Sequence, residues 1–290
     1  VLVGSLGTST SLTKTAFDPS LSLRYELSDT LALRAAAYKA FRAPGLNNMF
    51  RSFGSSSITI ANPLLEPETL VGKEVGVDWK WRNVSVGATV FQADVTNVVA
   101  TYAITTSTPI PAPVQNICGT GYTGVANAAC PGTVSFYTNG QDQRASGIEL
   151  DGKWAVTDDL GLAAYATLTR TVYTRTTTGD PTGVQLPLMP KGVAGANVSW
   201  KAGRGWTWTA DLRYNSPMTL SSLTLSPPVR QGGYTVVNVG ASYRVNEVLE
   251  FTGAVTNLGD KRYTDGSASN PQGIGLAMPR AYSVGLRAHF

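Results

Sequence analysis

The feature that most constrains this chain is a period of two. From Ala281 to Phe290, Tyr282, Val284, Leu286, Ala288 and Phe290 occupy one parity, and Ala281, Ser283, Gly285, Arg287 and His289 the other. Successive side chains of a strand point to opposite faces, whereas a helix would scatter that apolar set around its circumference. The pattern recurs: Leu21, Leu23, Tyr25 and Leu27 alternate with Arg24 and Glu26, and Val75, Val77, Trp79 and Trp81 with Glu74, Asp78 and Lys80. Ile148, Leu150, Trp154 and Val156 oppose Glu149, Asp151 and Lys153, and further alternating runs lie at 206–214 and 237–245. Charge keeps to one parity: Arg34, Asp211, Arg213, Arg244, Glu250 and Arg287 join that set. Lys73 breaks the rule, but it lies near the start of its strand, where its stem can snorkel to an interface.

Composition then limits the surroundings. Only 14% of the 290 residues are charged while 42% are apolar, too thin a coat for an ordinary soluble surface. No run reaches the roughly 18–20 apolar residues that a membrane helix needs, so helical spanning is excluded. A formal charge of +4 without a Lys/Arg-rich cluster argues against a nucleic-acid partner. The chain opens Val1-Leu2-Val3, with no methionine, charged n-region or cleavage motif, so a piece of a longer protein is expected.

Connections alternate between short polar turns (Ser28-Asp29-Thr30, Arg82-Asn83, Thr157-Asp158-Asp159, Ala202-Gly203-Arg204, Val245-Asn246-Glu247) and long segments at about 42–69, 97–143, 176–188, 216–231 and 259–279. That is the signature of an up-and-down antiparallel meander. About eleven strands are expected, near 20–27, 31–41, 70–82, 84–95, 144–156, 160–174, 191–201, 205–215, 233–245, 248–258 and 280–290. Leu31–Phe41 is helical on propensity alone, but its neighbours outvote it. Most strands reach the ~9–11 residues that cross a bilayer at a tilt. Tyr25, Trp79, Trp81, Trp154, Trp200, Trp206, Trp208 and Tyr243 near strand ends read as an interfacial aromatic girdle. The fold class expected is therefore all-β, an antiparallel up-and-down transmembrane β-barrel; the rival is a soluble β-sandwich, which also segregates charge by parity.

Specific residues then resemble a known family. Tyr38-Lys39-Ala40-Phe41-Arg42-Ala43-Pro44-Gly45-Leu46-Asn47-Asn48-Met49-Phe50, followed by Asn62-Pro63-Leu64-Leu65-Glu66-Pro67-Glu68-Thr69 and Glu74-Val75-Gly76-Val77, is similar to elements of TonB-dependent outer-membrane receptors. Ala145–Leu150, Val255–Tyr263 and Pro279–Phe290 resemble later barrel elements of that family, in order. The resemblance implies a plugged barrel of about 22 strands, of which about eleven are present here. It also implies import of a ferric siderophore or similar scarce nutrient, outer-membrane lipid around the barrel, and TonB acting through an N-terminal plug that this chain lacks. The terminal Phe290 resembles the signal read by the outer-membrane assembly machinery. On this reading the inward parity, with Glu74, Asp78, Glu149, Asp151, Arg213 and Arg244, faces the plug or the water around it, and 1–290 is one partial barrel domain without a plug.

Chemistry points away from catalysis. The single histidine, His289, offers no triad or metal site. Gly119-Thr120-Gly121-Tyr122-Thr123-Gly124 matches a dinucleotide-binding spacing, but no strand precedes it and no helical pattern follows, so it reads as coincidence. No cofactor, metal ion or catalytic residue is expected. Cys118 and Cys130 share the longest loop, and an extracellular setting favours a disulfide between them. Aromatic and basic groups on the loops suit a bulky, partly aromatic, anionic chelate: Phe50, Arg51, Phe53, Tyr102, Tyr122, Phe136, Tyr137, Arg144 and Arg230. The same residues would equally serve to hold loops together. Glu66, Pro67 and Glu68 read as shaping the loop's return into its strand.

The alternatives are a passive porin closed by these strands alone, a soluble adhesin or carbohydrate-binding sandwich, and, last, an outer-membrane hydrolase. If the chain is a partial barrel, its own fold should be a curved open sheet or a forced closure.

Overall fold

A computed structural model describes residues 13–177, 179–220, 228–264 and 275–288. Phe290 and His289 lie outside the described residues, as do parts of the segments 216–231 and 259–279. The elements, in chain order, are β1 (Ser20–Ser28), β2 (Leu31–Arg42), α1 (Leu46–Phe50), β3 (Ser57–Ile60), β4 (Glu68–Trp81), β5 (Val84–Ala103), α2 (Ala112–Cys118) and β6 (Thr133–Ala155). There follow β7 (Leu160–Thr176), β8 (Gly192–Gly203), β9 (Trp206–Asn215), β10 (Met218–Thr219), β11 (Arg230–Gln231), β12 (Tyr234–Arg244), β13 (Leu249–Thr256) and β14 (Ala281–Ala288).

Eleven strands form one antiparallel path, β1-β2-β4-β5-β6-β7-β8-β9-β12-β13-β14, with β3 attached to β6. Among the described residues β1 and β14 do not pair with each other, so the sheet stays open. These strands therefore do not close a porin by themselves. Every expected strand is present, including Leu31–Arg42, where ladders to β1 and β4 on both sides override the helical propensity of its alanines. Strands β5 and β6 run further than expected: their ladder continues to Ala103↔Ser135, through register shifts between Val95 and Ala100. Both ends of the segment 97–143, residues 97–103 and 133–143, are thus strand, contrary to the loop reading. Alternation is lost there because the hairpin stands clear of the apolar band and both faces meet other parts of the protein or water. Past the end of β7, the exposed edge of β6 is covered by β3, paired in parallel through Ser57↔Thr133 to Ile60↔Phe136.

Register fixes what each face carries, because residues directly opposite in an antiparallel pair share a face. One unbroken row of partners reads Tyr25↔Leu33↔Val77↔Ala88↔Leu150↔Ala166↔Ala194↔Tyr214 across β1 to β9. The apolar face is open: Leu21 is 76% exposed, Val75 62%, Val90 59% and Val284 93%. A sandwich would bury these against a second sheet, yet the other sheet is only the two-stranded β10–β11. Leaving each such side chain in water forfeits about 1.5–3 kcal/mol, a cost that lipid removes. No described helix is long and apolar enough to cross a membrane. The girdle aromatics lie together at the short-turn end of this face: Trp206 stacks on Trp208 with centroids 5.5 Å apart, Trp79 on Trp81 at 6.3 Å, and Arg82 lies 4.4 Å over Trp81.

The opposite face holds Glu74, Asp78, Glu149, Asp151, Arg213 and Arg244, all of the other parity in register. Asp78 accepts from Arg24 and from Arg34 Nε at 3.0 Å, and Arg34 Nη2 donates to Thr89 at 2.7 Å. Two glycines make room for large groups on this face. A Cβ at Gly72 would overlap the Tyr38 ring, and one at Gly195 the Tyr165 ring.

The two faces differ in their tolerance of charge. Leu150→Arg, in the middle of the apolar face, is expected to cost about 2–4 kcal/mol, whereas Thr167→Arg, opposite Glu149 on the polar face, should stay within about 1 kcal/mol. Urea unfolding of the complete protein in detergent micelles measures both, and equal losses would overturn the face assignment.

Candidate functional site: the loop-end cap

Above the wall, the tall β5–β6 hairpin carries a small domain-like cap with its own core. Ile60, Ile104, Val114, Cys118, Tyr122, Cys130, Val134 and Phe136 are buried together, and Tyr102 meets Phe136 edge-on at 6.1 Å. Helix α2 starts where Pro111 fixes φ at −64° as its N-cap, and it stops at Gly119, whose φ of +95° suits glycine. Cys118, at the end of α2, is joined to Cys130 by a disulfide with Cα atoms 5.4 Å apart. Asn127 folds the chain between them: its Nδ2 donates to the Cys118 carbonyl at 2.8 Å and its Oδ1 accepts from the Cys130 N–H at 2.7 Å. The glycines of the dinucleotide-like spacing follow this helix instead of preceding one, so they present no helix N-terminus to a phosphate.

The segment Asn62–Glu68 locks the cap to the wall. Asn62 Oδ1 accepts from the Leu64 N–H at 2.9 Å while its Nδ2 donates to the Tyr137 carbonyl at 2.9 Å. The Asn139 amide exchanges bonds with the Glu66 backbone and donates to the Asn97 carbonyl at 2.7 Å. Glu68, 6% exposed, pairs with Arg42 at 2.6 Å and accepts from the Val99 N–H at 2.8 Å. Asn97 itself sits at φ +60°, where the β5 register shifts, and its N–H donates to Asp142 at 2.9 Å. Asp142, above the wall, is held below the usual carboxylate range, first by the hydrogen bond from Arg175 and then by that from Asn97 N–H, against a desolvation that pulls the other way. Asn62 belongs to the run quoted for the family resemblance, without a role of its own; Asn127, Asn139 and Asp142 are not singled out by the sequence, where Asn62-Pro63 and the run Gly124–Cys130 carry local signal as turn chemistry.

The structure sorts the expected ligand residues into three groups. Tyr122 and Phe136, 4% and 6% exposed, are consumed by the cap core, and Tyr102 packs against it, so they support the loop and are not offered to a ligand. Arg144 is not on a loop at all: it lies on β6 with the parity of Ile148 and Leu150, on the apolar face, and donates to Asp94 at 2.6 Å. Phe50, Arg51 and Phe53 are exposed around the end of α1, Arg230 is exposed on β11, and Tyr137 is partly exposed on β6. Among the described residues no cluster of His, Cys, Asp and Glu is poised for a metal ion.

An antiparallel sheet with one open apolar face, one charged face, short turns at one end and a structured cap at the other defines the wall of a large membrane β-barrel. Residues 2–258 match the family described as TonB dependent receptor-like, beta-barrel. The chain belongs to that family, which is one of receptors and not of enzymes. It is 24% identical over 296 residues to the ferric enterobactin receptor PirA of Pseudomonas aeruginosa, covering 94% of this chain and 37% of that one. It is 22% identical over 292 residues to the ferrienterobactin receptor of Escherichia coli, covering 94% and 36%. A crystal structure of a ferric enterobactin receptor from Pseudomonas aeruginosa matches with a TM-score of 0.70 at 19% identity, over 94% of this chain and 40% of that one. The chain thus spans little more than a third of the length of these curated relatives.

Two variants separate cap from wall. Replacing both Cys118 and Cys130 by Ser should remove about 3 kcal/mol of cap stability in the chain-entropy model, seen as faster limited proteolysis between Thr105 and Thr133 with the main thermal transition unmoved. Glu68→Gln should cost about 1–2 kcal/mol, because a buried acceptor is weakened while its Arg42 partner remains in water. Hydrogen exchange at Val99 should rise with it, and unchanged exchange would show that the contact holds nothing.

Proposed function

We propose that this chain forms wall strands and the loop cap of an outer-membrane receptor that takes up a ferric siderophore, driven through TonB. The family match over residues 2–258 carries this reading, and relatives named for ferric enterobactin support the class of ligand. The open edges of β1 and β14 leave backbone groups that a membrane cannot satisfy. On this reading further strands of the same protein close the barrel, and a plug occupies its lumen against the charged face.

The cap faces outside, where Phe50 and Phe53 supply stacking surfaces and Arg51 a guanidinium that is always charged. Such a trio suits an anionic chelate with aromatic iron-binding groups. Ligand bound there shifts the plug, TonB supplies the work, and the ligand passes along the polar face without any bond in it being broken. Glu74, Asp78, Glu149, Asp151, Arg213 and Arg244 then serve as the lumen lining that the plug moves against.

The complete protein, expressed in a strain lacking its own siderophore receptors, should restore growth under iron chelation when a ferric catecholate is supplied, and lose that ability when TonB is deleted. Growth without TonB would identify a passive pore instead. Exchanging Phe50, Arg51 and Phe53 for alanine should raise the half-saturating ligand concentration roughly tenfold at normal surface abundance; unchanged saturation would remove these residues from the site.

A further inference from the structure

The apolar face is not uniformly apolar. Over the strand positions in unshifted register, it carries five charged residues, and all five fall on adjacent strands: Lys39 on β2, Lys73 on β4, Asp94 on β5, Arg144 on β6 and Arg170 on β7. They occupy two neighbouring rows, Lys39↔Val71↔Asp94↔Arg144 and Ala37↔Lys73↔Gln92↔Ser146↔Arg170. Asp94 is already engaged, accepting from Arg144 at 2.6 Å and from Gln92 at 2.7 Å. Four cations against one anion leave a net charge of +3 on this patch. Asp142 and Arg175, past the register shift above it, neutralise each other.

Height along the wall places the patch at an interface. Lys73 and Trp81 are eight residues apart on one strand, and Arg144 and Trp154 ten. At about 3.3 Å per residue and a tilt near 40°, the cations stand roughly 20–25 Å from the tryptophan rim, which is the height of an outer-membrane apolar band. One rim of this wall is therefore aromatic, and the other, over β2 to β7, is cationic.

Just below the cations the face is hollowed. Leu23, Ala35, Val75, Val90 and Ile148 form the row beneath Lys73 and Gln92, and they line a shallow groove of about 790 Å³ with Leu21 at its side. The alanines of β2 give the depression, since their methyl groups stand lower than the leucines of β1. An apolar trough ending in cations is complementary to an acyl chain ending in a phosphate. Five adjacent strands about 4.8 Å apart spread the cations over about 19 Å, too wide for one phosphate and suited to a headgroup that carries two.

We propose that this patch and groove form a binding site for a phosphorylated glycolipid of the outer leaflet, with acyl chain in the trough and phosphates against Lys39, Lys73, Arg144 and Arg170. Arg170 also donates to the Gly183 carbonyl at 2.9 Å, and Arg144 stands on the strand that carries the cap, so a seated headgroup joins the membrane surface to the cap's footing. The proposal rests on the membrane reading of the wall.

The test uses the complete, delipidated protein reconstituted with vesicles that contain bisphosphorylated lipid A, the same lipid stripped of phosphate, or phosphatidylglycerol, followed by native mass spectrometry from mild detergent. Retained lipid is expected with the bisphosphorylated form alone, and roughly tenfold less of it on the Lys39→Gln/Lys73→Gln/Arg170→Gln variant, which keeps the Arg144–Asp94 pair. Equal retention of the dephosphorylated lipid would reduce the site to grease, and equal retention of phosphatidylglycerol to general anionic attraction. Either overturns the proposal, as does an unchanged triple variant. The three lipid arms use the unaltered protein, so they decide the matter even where the variant fails to fold. Failure to insert into any vesicle would instead sink the membrane reading itself.

Discussion

In a medium without water every backbone N–H and C=O must find a partner within the protein, and an antiparallel ladder satisfies them only strand against strand. Once eleven strands are zipped in that way, side-chain position is no longer free. A residue's number and its partner decide whether it meets lipid or the interior, and a slip of one residue would exchange the two faces. The rest of the wall follows from that constraint. Asp78 can gather Arg24 and Arg34 because all three share a face in register. Tyr38 and Tyr165 can lie across neighbouring strands because glycines stand opposite them.

The wall was legible for the same reason. Period-two alternation is the direct imprint of a sheet between lipid and a polar interior, and it places every strand of the path within a few residues except the loop-side ends of β5 and β6. Where that imprint ends, reading failed in instructive ways. The upper halves of β5 and β6 were read as loop because no apolar medium enforces alternation on them. For Tyr122 and Phe136 the chemistry leaves ligand contact and loop packing equally open, and the cap, a small water-surrounded fold, spends these aromatics on its own core. Arg144 shows the opposite failure: its even number matched Ile148 and Leu150, so its outward position was there to be read, but proximity to a presumed loop took precedence over parity.

The residues that lock the cap to the wall were the least legible. Asn139 acts through three bonds to residues 42 and 73 positions away, a partnership that no local pattern encodes. Glu68 is different. From sequence it reads as shaping the loop's return into its strand, and only the arrival of Arg42 and the Val99 N–H from two other strands explains its burial.

Two kinds of stability therefore coexist in one chain. The wall is held by ladder hydrogen bonds and by lipid on its exposed apolar face, and it has no interior of its own to collapse. The cap is held as a small soluble domain is, by burial of aliphatic and aromatic groups in water and by a covalent clamp, since a core of this size alone is marginal. The two meet where the β5–β6 hairpin rises out of the apolar band, at the shifted register around Asn97 and Asp142, and along the segment Asn62–Glu68. Changes that loosen the cap core need not disturb the wall, and cations along the outer rim can act on the membrane without touching the cap's interior. A receptor built in this way can vary its outward surface while keeping the wall constant, because the physical forces that stabilise each part are different.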